Sequence, residues 1–399
     1  MFQRATLSSL AMLLALALLM RQGQLALICL LLLLVAGMAA LWNHWALRRV
    51  GYERRFSQAR AFPDDCIELQ LHLTNRKPLP IASLRLLERI PVALELQGVT
   101  LRPAGTTATR LLQRTTALRW YEGVTWRYQV RCLARGAFHL GPAQLVSGDP
   151  FGIYSTIRDL PLTPTSLIVY PRLLPLADLR LPARNPLGDV RAGLLFRDPL
   201  RIVGVRAYTP DDPLKDVHWP ATARSGSLQT RVYEPTTARS IALMLDLDTF
   251  TFYYEGIDPE QVERLISAAA TIAREGVQAG YALGLYANGT PAEAERLVRL
   301  PPSRHPDQLH RILETLARLT GYSATPMAHL LRSAVGDLPA GATLVLISAV
   351  ATDATRAALL RQRQAGREVV WLFLGDTPPA PLAGVRLHHA PPKPPTDKA

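Results

Sequence analysis

The chain has 399 residues and a formal net charge of +13, from 45 Lys and Arg against 32 Asp and Glu. Lys77, Lys215, Lys393 and Lys398 are the only lysines, so the surplus is arginine, and it forms no basic-plus-aromatic module of the kind that binds RNA or DNA. Cys29, Cys66 and Cys132 show no paired spacing, which excludes a disulfide framework.

Two apolar runs open the chain, and residues 5–20 and 25–46 predict a transmembrane helical hairpin over 1–47, turned at Arg21-Gln22-Gly23-Gln24. A span needs about 20 apolar residues, so the second run suffices and the first requires local thinning of the bilayer. Arg4 precedes the hairpin and Arg48, Arg49, Arg54, Arg55 and Arg60 follow it, against Arg21 alone in the turn. The positive-inside rule then places both ends in the cytosol, with the body held at the cell (inner) membrane. A cleaved signal peptide fits poorly, because a longer apolar run follows at once. Anionic lipid accounts for the 48–60 arginines more simply than nucleic acid does.

Residues 48–172 read as short strands. Ile67-Glu68-Leu69-Gln70-Leu71-His72-Leu73 alternates apolar with polar, and further runs at 82–88, 107–113, 126–133 and 138–146 are parted by turns, which predicts an immunoglobulin-like β-sandwich. Residues 173–239 are rich in Pro, Arg and Asp without a clear period; Val203, Val205, Tyr208 and Trp219 make them a structured connector rather than a solvated tether. Residues 240–390 alternate strand and helix, with Asp258-Pro259 as a helix start and strands at 241–245, 281–287, 343–348 and 369–374. That order predicts a mostly parallel α/β sheet covered on both faces. Residues 391–399 read as a disordered, Pro-rich tail.

Catalytic motifs are scarce. There is no Gly-Lys pair and hence no Walker A sequence, and His-Glu-x-x-His, Cys-x-x-Cys and Gly-x-Ser-x-Gly do not occur. Asp211 and Asp212 sit in Thr209-Pro210-Asp211-Asp212-Pro213, which is strong turn chemistry, and His218 reads as a hydrogen-bonded structural residue. Asn288-Gly289-Thr290 reads as a turn. Asp246 and Asp248 end the first α/β strand and Thr325 opens a later helix; at the carboxyl edge of an open sheet they would converge as hard oxygen ligands for Mg²⁺. Phe250 and Ala349 remove oxygen donors there, so a metal-free, hydrogen-bonded crevice is the preferred reading and no cofactor is expected.

Arg135-Gly136-Ala137-Phe138-His139-Leu140-Gly141-Pro142 and Asp149-Pro150-Phe151-Gly152-Ile153-Tyr154 resemble the β part of the bacterial domain of unknown function 58 family. Gly204-Val205-Arg206-Ala207-Tyr208-Thr209-Pro210-Asp211-Asp212-Pro213, Asp216-Val217-His218-Trp219-Pro220-Ala221-Thr222-Ala223-Arg224 and Arg231-Val232-Tyr233-Glu234 resemble its signature, with Asp211 where a Gly is common and Pro220 where a Lys is common. The resemblance implies a von Willebrand factor A-like domain over 240–390 and a partnership with MoxR-type AAA+ ATPases. It also implies a degenerate metal-ion-dependent adhesion site: Asp246 and Thr325 match, Asp248 and Phe250 replace two serines, and Ala349 falls where the last Asp is expected. The function expected is that of a membrane-anchored, non-enzymatic interaction protein serving chaperone-like assembly or maturation. A hydrolase using Asp211, Asp212 and His218, with Arg206 and Arg224 on an anionic substrate, ranks second, and a basic nucleic-acid binder third. Arg206, Asp211, Asp212, Trp219 and Arg224 are expected to form a buried knot between the domains, alongside Tyr208, His218 and Arg231.

Overall fold

The computed structural model describes residues 2–148, 154–160, 166–182, 196–209, 212–236, 240–291, 296–339 and 341–392. Pro210, Asp211, residues 149–153 of the motif that ends at Tyr154 and the end of the tail lie outside them. The chain divides into two compact units, Met1–Tyr170 and Pro171–Ala399.

In the first unit, α1 (Phe2–Leu19) and α2 (Gly23–Ala46) pack against each other across a tight turn at Arg21. Among the described residues one helix, α2, is long and apolar enough to cross a membrane; the apolar stretch Ser8–Leu19 is shorter. Leu27, Ile28, Leu31 and Leu34 of α2 are exposed, as a helix with no protein around it requires.

The β body that follows holds a four-stranded antiparallel sheet of Val50–Phe56, Cys66–Asn75, Gly123–Cys132 and Leu94–Leu96 in spatial order. A second, five-stranded antiparallel sheet includes Ser155–Leu160, Ala143–Gly148, Ile81–Pro91 and Thr109–Leu118. The period-2 pattern decides which side chains go in. Ile67, Leu69, Leu71 and Leu73 are buried while Glu68, Gln70 and His72 between them are half-exposed. They share one core with Leu84, Leu86, Ile90, Leu112 and Leu145 of the other sheet. Each fully buried leucine contributes roughly 1.5–3 kcal/mol.

The second unit is built on a six-stranded sheet with the order Val298–Ser303, Ala282–Ala287, Ser240–Leu245, Thr343–Ser348, Val369–Phe373, Val385–His389. All neighbours are parallel except the first pair. The strands Ser240–Leu245, Ala282–Ala287 and Thr343–Ser348 are buried at every position, as strands covered on both faces must be. Helices α6 (Met327–Ser333) and α7 (Asp353–Gln364) lie against Met244, Leu346 and Trp371. Helices α4 (Pro259–Gln278) and α5 (Gln308–Arg318) pack on one another, and α4 approaches the sheet so closely at Gly276 that a Cβ there would meet Leu283 Cδ1 at 2.7 Å.

The segment 173–239 lies within this unit. It contributes an antiparallel pair, Phe196–Ala207 with Gln229–Thr236, and the short helix α3 (Trp219–Ser225) between them.

Candidate functional site: a carboxylate crevice at the end of the parallel sheet

The chain passes from Ser240–Leu245 to Ala282–Ala287 on one side and later returns to Thr343–Ser348 on the other. Such a reversal opens a crevice beyond the strands' carboxyl ends. Here a crevice of about 610 Å³ is lined by Asp246, Asp248, Phe250, Ser323, Thr325 and Thr355 among others. The structure therefore brings together Asp246, Asp248 and Thr325. Helix α6 begins at Met327, so Thr325 sits in the loop before it.

Asp246 is 3% exposed. Its Oδ1 accepts the Asp248 backbone N–H at 3.3 Å and the Asn288 amide Nδ2 at 2.7 Å. Burial, then the charge of Asp248, hold its carboxyl well above the usual carboxylate range; those hydrogen bonds only partly oppose the rise. The Asn288 Nδ2 also reaches Asp248 Oδ2 at 3.5 Å, and its Oδ1 accepts the Leu247 N–H at 2.8 Å. That last bond fixes which way the amide faces, since only its oxygen can accept. Ser323 donates its hydroxyl to Asp248 Oδ1 at 2.5 Å.

These residues do not fit a divalent cation. A metal shared by Asp246 and Asp248 would lie where the Asn288 amide hydrogens point, and an N–H donor repels a cation. Among the described residues, no three His, Cys, Asp or Glu side chains gather as a metal site. The sequence reading missed both Asn288 and Ser323. Asn288 follows directly on Ala282–Ala287, next to the strand that ends at Leu245 just before Asp246, and that adjacency is the signal that could have found it.

Around the mouth stand exposed aromatics. Phe250, Phe252, Tyr254 and Tyr322 are 41%, 52%, 70% and 71% exposed, and Phe252 and Tyr254 stack with centroids 5.3 Å apart. Thr249 accepts the Asp258 N–H at 3.0 Å and so closes the loop that carries them against the start of α4.

The signature residues lie elsewhere in the second unit. Asp212 accepts from Arg206 Nη2 at 2.6 Å, from the Thr209 N–H at 3.0 Å and from the Thr209 hydroxyl at 2.9 Å. The Thr209 backbone bond, then the guanidinium, pull its carboxyl down to about 2. His218 Nδ1 accepts the Ala221 N–H at 3.1 Å and caps α3, so that lone pair is spent on structure. Tyr208 is half-buried and its backbone N–H binds the Leu228 carbonyl at 2.9 Å; Arg231 is half-buried and Arg224 exposed. The expected buried knot is corrected at Trp219, which is 66% exposed, as are Leu214 at 71%, Val205 at 45% and Leu228 at 43%. The segment is a hairpin stitched by Asp212, with apolar side chains turned to solvent.

Residues 204–377 match the model of a family described as "Protein of unknown function DUF58". The Bacillus subtilis (strain 168) protein described as "Uncharacterized protein YeaD" is 23% identical over 259 residues, which cover 64% of this chain and 59% of that relative, so the match spans somewhat over half its length. Among solved structures, a cohesin module from a Clostridium perfringens family 33 glycoside hydrolase matches at TM-score 0.21 and 11% identity, covering 30% of this chain and 96% of that one. AvmM, which catalyses macrocyclization in alchivemycin A biosynthesis, matches at TM-score 0.20 and 13% identity, covering 30% and 88%. Scores this low carry no argument about the fold.

Proposed function

We propose, starting from the membership of this chain in the DUF58 family through residues 204–377, that it is a membrane-anchored docking protein whose α/β unit receives a basic side chain from a protein partner. In this reading α1 and α2 form a two-span hairpin in the cell membrane with both ends in the cytosol. An immunoglobulin-like β-sandwich follows, and then a von Willebrand factor A-like domain. One observation carries the docking role: a carboxylate pair, Asp246 buried and Asp248 half-buried, lies beneath a rim of exposed aromatics. A partner's Arg or Lys entering the crevice would compensate the charge that burial disfavours, and Phe252, Tyr254 and Tyr322 would bury apolar area around it, the composition of an interface hot spot. A metal-ion-dependent adhesion site receives a partner's carboxylate through a cation; with Asn288 in the cation's place, the complementary ligand here is the opposite charge. The partner expected from the family resemblance is a MoxR-type AAA+ ATPase, and the role is non-enzymatic support of assembly or maturation.

The test is a pull-down with the full chain from detergent-extracted membranes of cells that express the ATPase. Wild type should recover it, and Asp248→Ala and Phe252→Ala should each lose it while keeping the wild-type melting profile. Absence of any AAA+ protein from the wild-type eluate, or recovery undiminished in both variants, would refute the reading.

A further inference from the structure

The last carbonyls of α2 have no partners within the helix, as at every helix C-terminus. Here side chains of the β body supply them. Lys77 Nζ, almost fully buried, donates to the Ala46 carbonyl at 2.6 Å and to Asn75 Oδ1 at 2.9 Å. Arg158 Nη1 donates to the Leu47 and Val50 carbonyls at 3.0 and 3.3 Å. Two further turns are tied to the same point. The Arg76 N–H binds the Arg49 carbonyl at 3.0 Å, and Asn75 Nδ2 binds the Arg119 carbonyl at 2.8 Å. The Tyr121 N–H binds the Lys77 carbonyl at 3.3 Å. The 47–49, 76–80 and 119–122 connections thus form one end of the β body, fastened to the exit of the apolar helix.

That end has an unusual surface. Trp120 and Tyr121 are 65% and 71% exposed at the tip of a turn in which Tyr121 takes φ +52°. Left-handed backbone is disfavoured for a residue with a Cβ. The turn is nevertheless held, by Asn75 and by Glu122 accepting the Arg119 N–H at 2.6 Å. Arg48, Arg49, Arg76 and Arg119 are exposed around it, and Glu122 is the sole acid in the three connections. Two large aromatics held in water, ringed by guanidinium groups at the mouth of a membrane-length helix, are the ingredients of an interfacial belt.

We infer that Arg48, Arg49, Arg76, Arg119, Trp120 and Tyr121 form a lipid-docking face that lies in the headgroup layer of an anionic leaflet. The rings sink to the level of the glycerol and the guanidinium groups pair with lipid phosphates. This rests on α2 lying in a bilayer and is independent of the carboxylate crevice.

The chain contains its own control. Cys66 is exposed at the start of the strand Cys66–Asn75, whose other end reaches the docking face, whereas Cys29 and Cys132 are buried. An environment-sensitive fluorophore is placed on Tyr121→Cys in a Cys66→Ser background, or on Cys66 in the wild type. Each full-length protein is reconstituted in vesicles of phosphatidylcholine alone or with phosphatidylglycerol, some carrying a lipid-attached quencher. The label at 121 should be blue-shifted and quenched in phosphatidylglycerol vesicles, and should lose much of both in molar salt, where the Debye length falls to about 3 Å. The label at 66 should stay aqueous throughout. Arg76→Glu with Arg119→Glu should return the 121 label to water without moving the signal at 66. A 121 label that is aqueous in both lipids, or equally immersed in both, overturns the proposal. Vesicle flotation separates the failures: protein that does not float removes the membrane premise and the proposal with it, while protein that floats with an aqueous 121 label removes the docking face alone.

Discussion

Asn288→Ala tests the crevice most directly, because one amide holds three groups there. Asn288 is fully buried. Its removal leaves the Leu247 N–H without its acceptor at 2.8 Å, which costs about 1–3 kcal/mol for a buried group. It also removes the 2.7 Å donor to Asp246, a bond worth about 0.5–1.5 kcal/mol to the protonated carboxyl. About 3 kcal/mol is the expected loss, and one factor of ten per 1.4 kcal/mol makes that roughly a hundredfold. Hydrogen exchange of peptides covering Ser240–Leu245 and Ala282–Ala287 should accelerate by about that factor. The penalty should also depend on pH. The raised carboxyl of Asp246 means the native state holds a proton that the unfolded chain has released, so its contribution is most favourable below the ordinary carboxylate range and is lost as pH climbs through the raised value. Removing the amide raises that value further, so the cost grows with pH. Asn288→Asp should do the same in buffer and be partly rescued by millimolar Mg²⁺, which then has three carboxylates to bind; wild type should not respond to Mg²⁺. An acceleration below about threefold in Asn288→Ala, or a wild-type melting temperature raised several degrees by Mg²⁺ in a response that Asp246→Ala abolishes, would refute this account of the site.

Asp212, pulled down to about 2, stabilises the signature hairpin fully above the unfolded carboxylate pKa of about 4, and that contribution is lost as pH falls from there through 2. Exchange protection of Gln229–Thr236 should fall over that window in wild type and be weaker at neutral pH in Arg206→Ala. Trp219→Ala should change stability by no more than about 0.5 kcal/mol, as an exposed position allows; a large drop in melting temperature would restore the buried-knot reading. Burial lowers Lys77 to about 8. Between there and the unfolded value of about 10.4 the unfolded chain holds more protons, so the first unit should gain stability as pH rises from 8 to 10. Urea midpoints should show that gain in wild type and not in Lys77→Met.

The elements visible in the sequence were those with local chemistry. Asp258 accepts the Glu260 and Gln261 N–H groups and Pro259 opens α4, as Asp-Pro before an apolar stripe predicts. Helix α7 runs from Asp353 to Gln364 behind the Thr352 cap. What escaped depends on partners distant in the chain. The strand Val298–Ser303 contains Pro301 and Pro302, which argue against a strand anywhere but at an edge, and an edge is where it lies. The Phe196–Ala207 and Gln229–Thr236 pair has irregular register, so no period of two marks it. Asp246, Asp248 and Thr325 could be placed at one crevice because strand ends of a parallel sheet share a side. Asn288 looked like a turn residue, since nothing local shows that its amide faces two carboxylates about forty positions earlier.

The rims of the parallel sheet also restrict how another protein can join it. Exposed strand edges invite pairing with a foreign strand, and proline is one of the features that prevent it. On one side two consecutive prolines withhold the donors an incoming strand would need. On the other, Arg264 crosses from α4 to bind the Ala390 and Pro391 carbonyls at 2.7 and 2.6 Å, engaging the backbone just past the last strand. Growth of the sheet by backbone pairing is disfavoured at the proline margin. Recognition is thereby directed to side chains at the strand ends, where specificity comes from charge and ring geometry and a partner can leave without unzipping a ladder of hydrogen bonds.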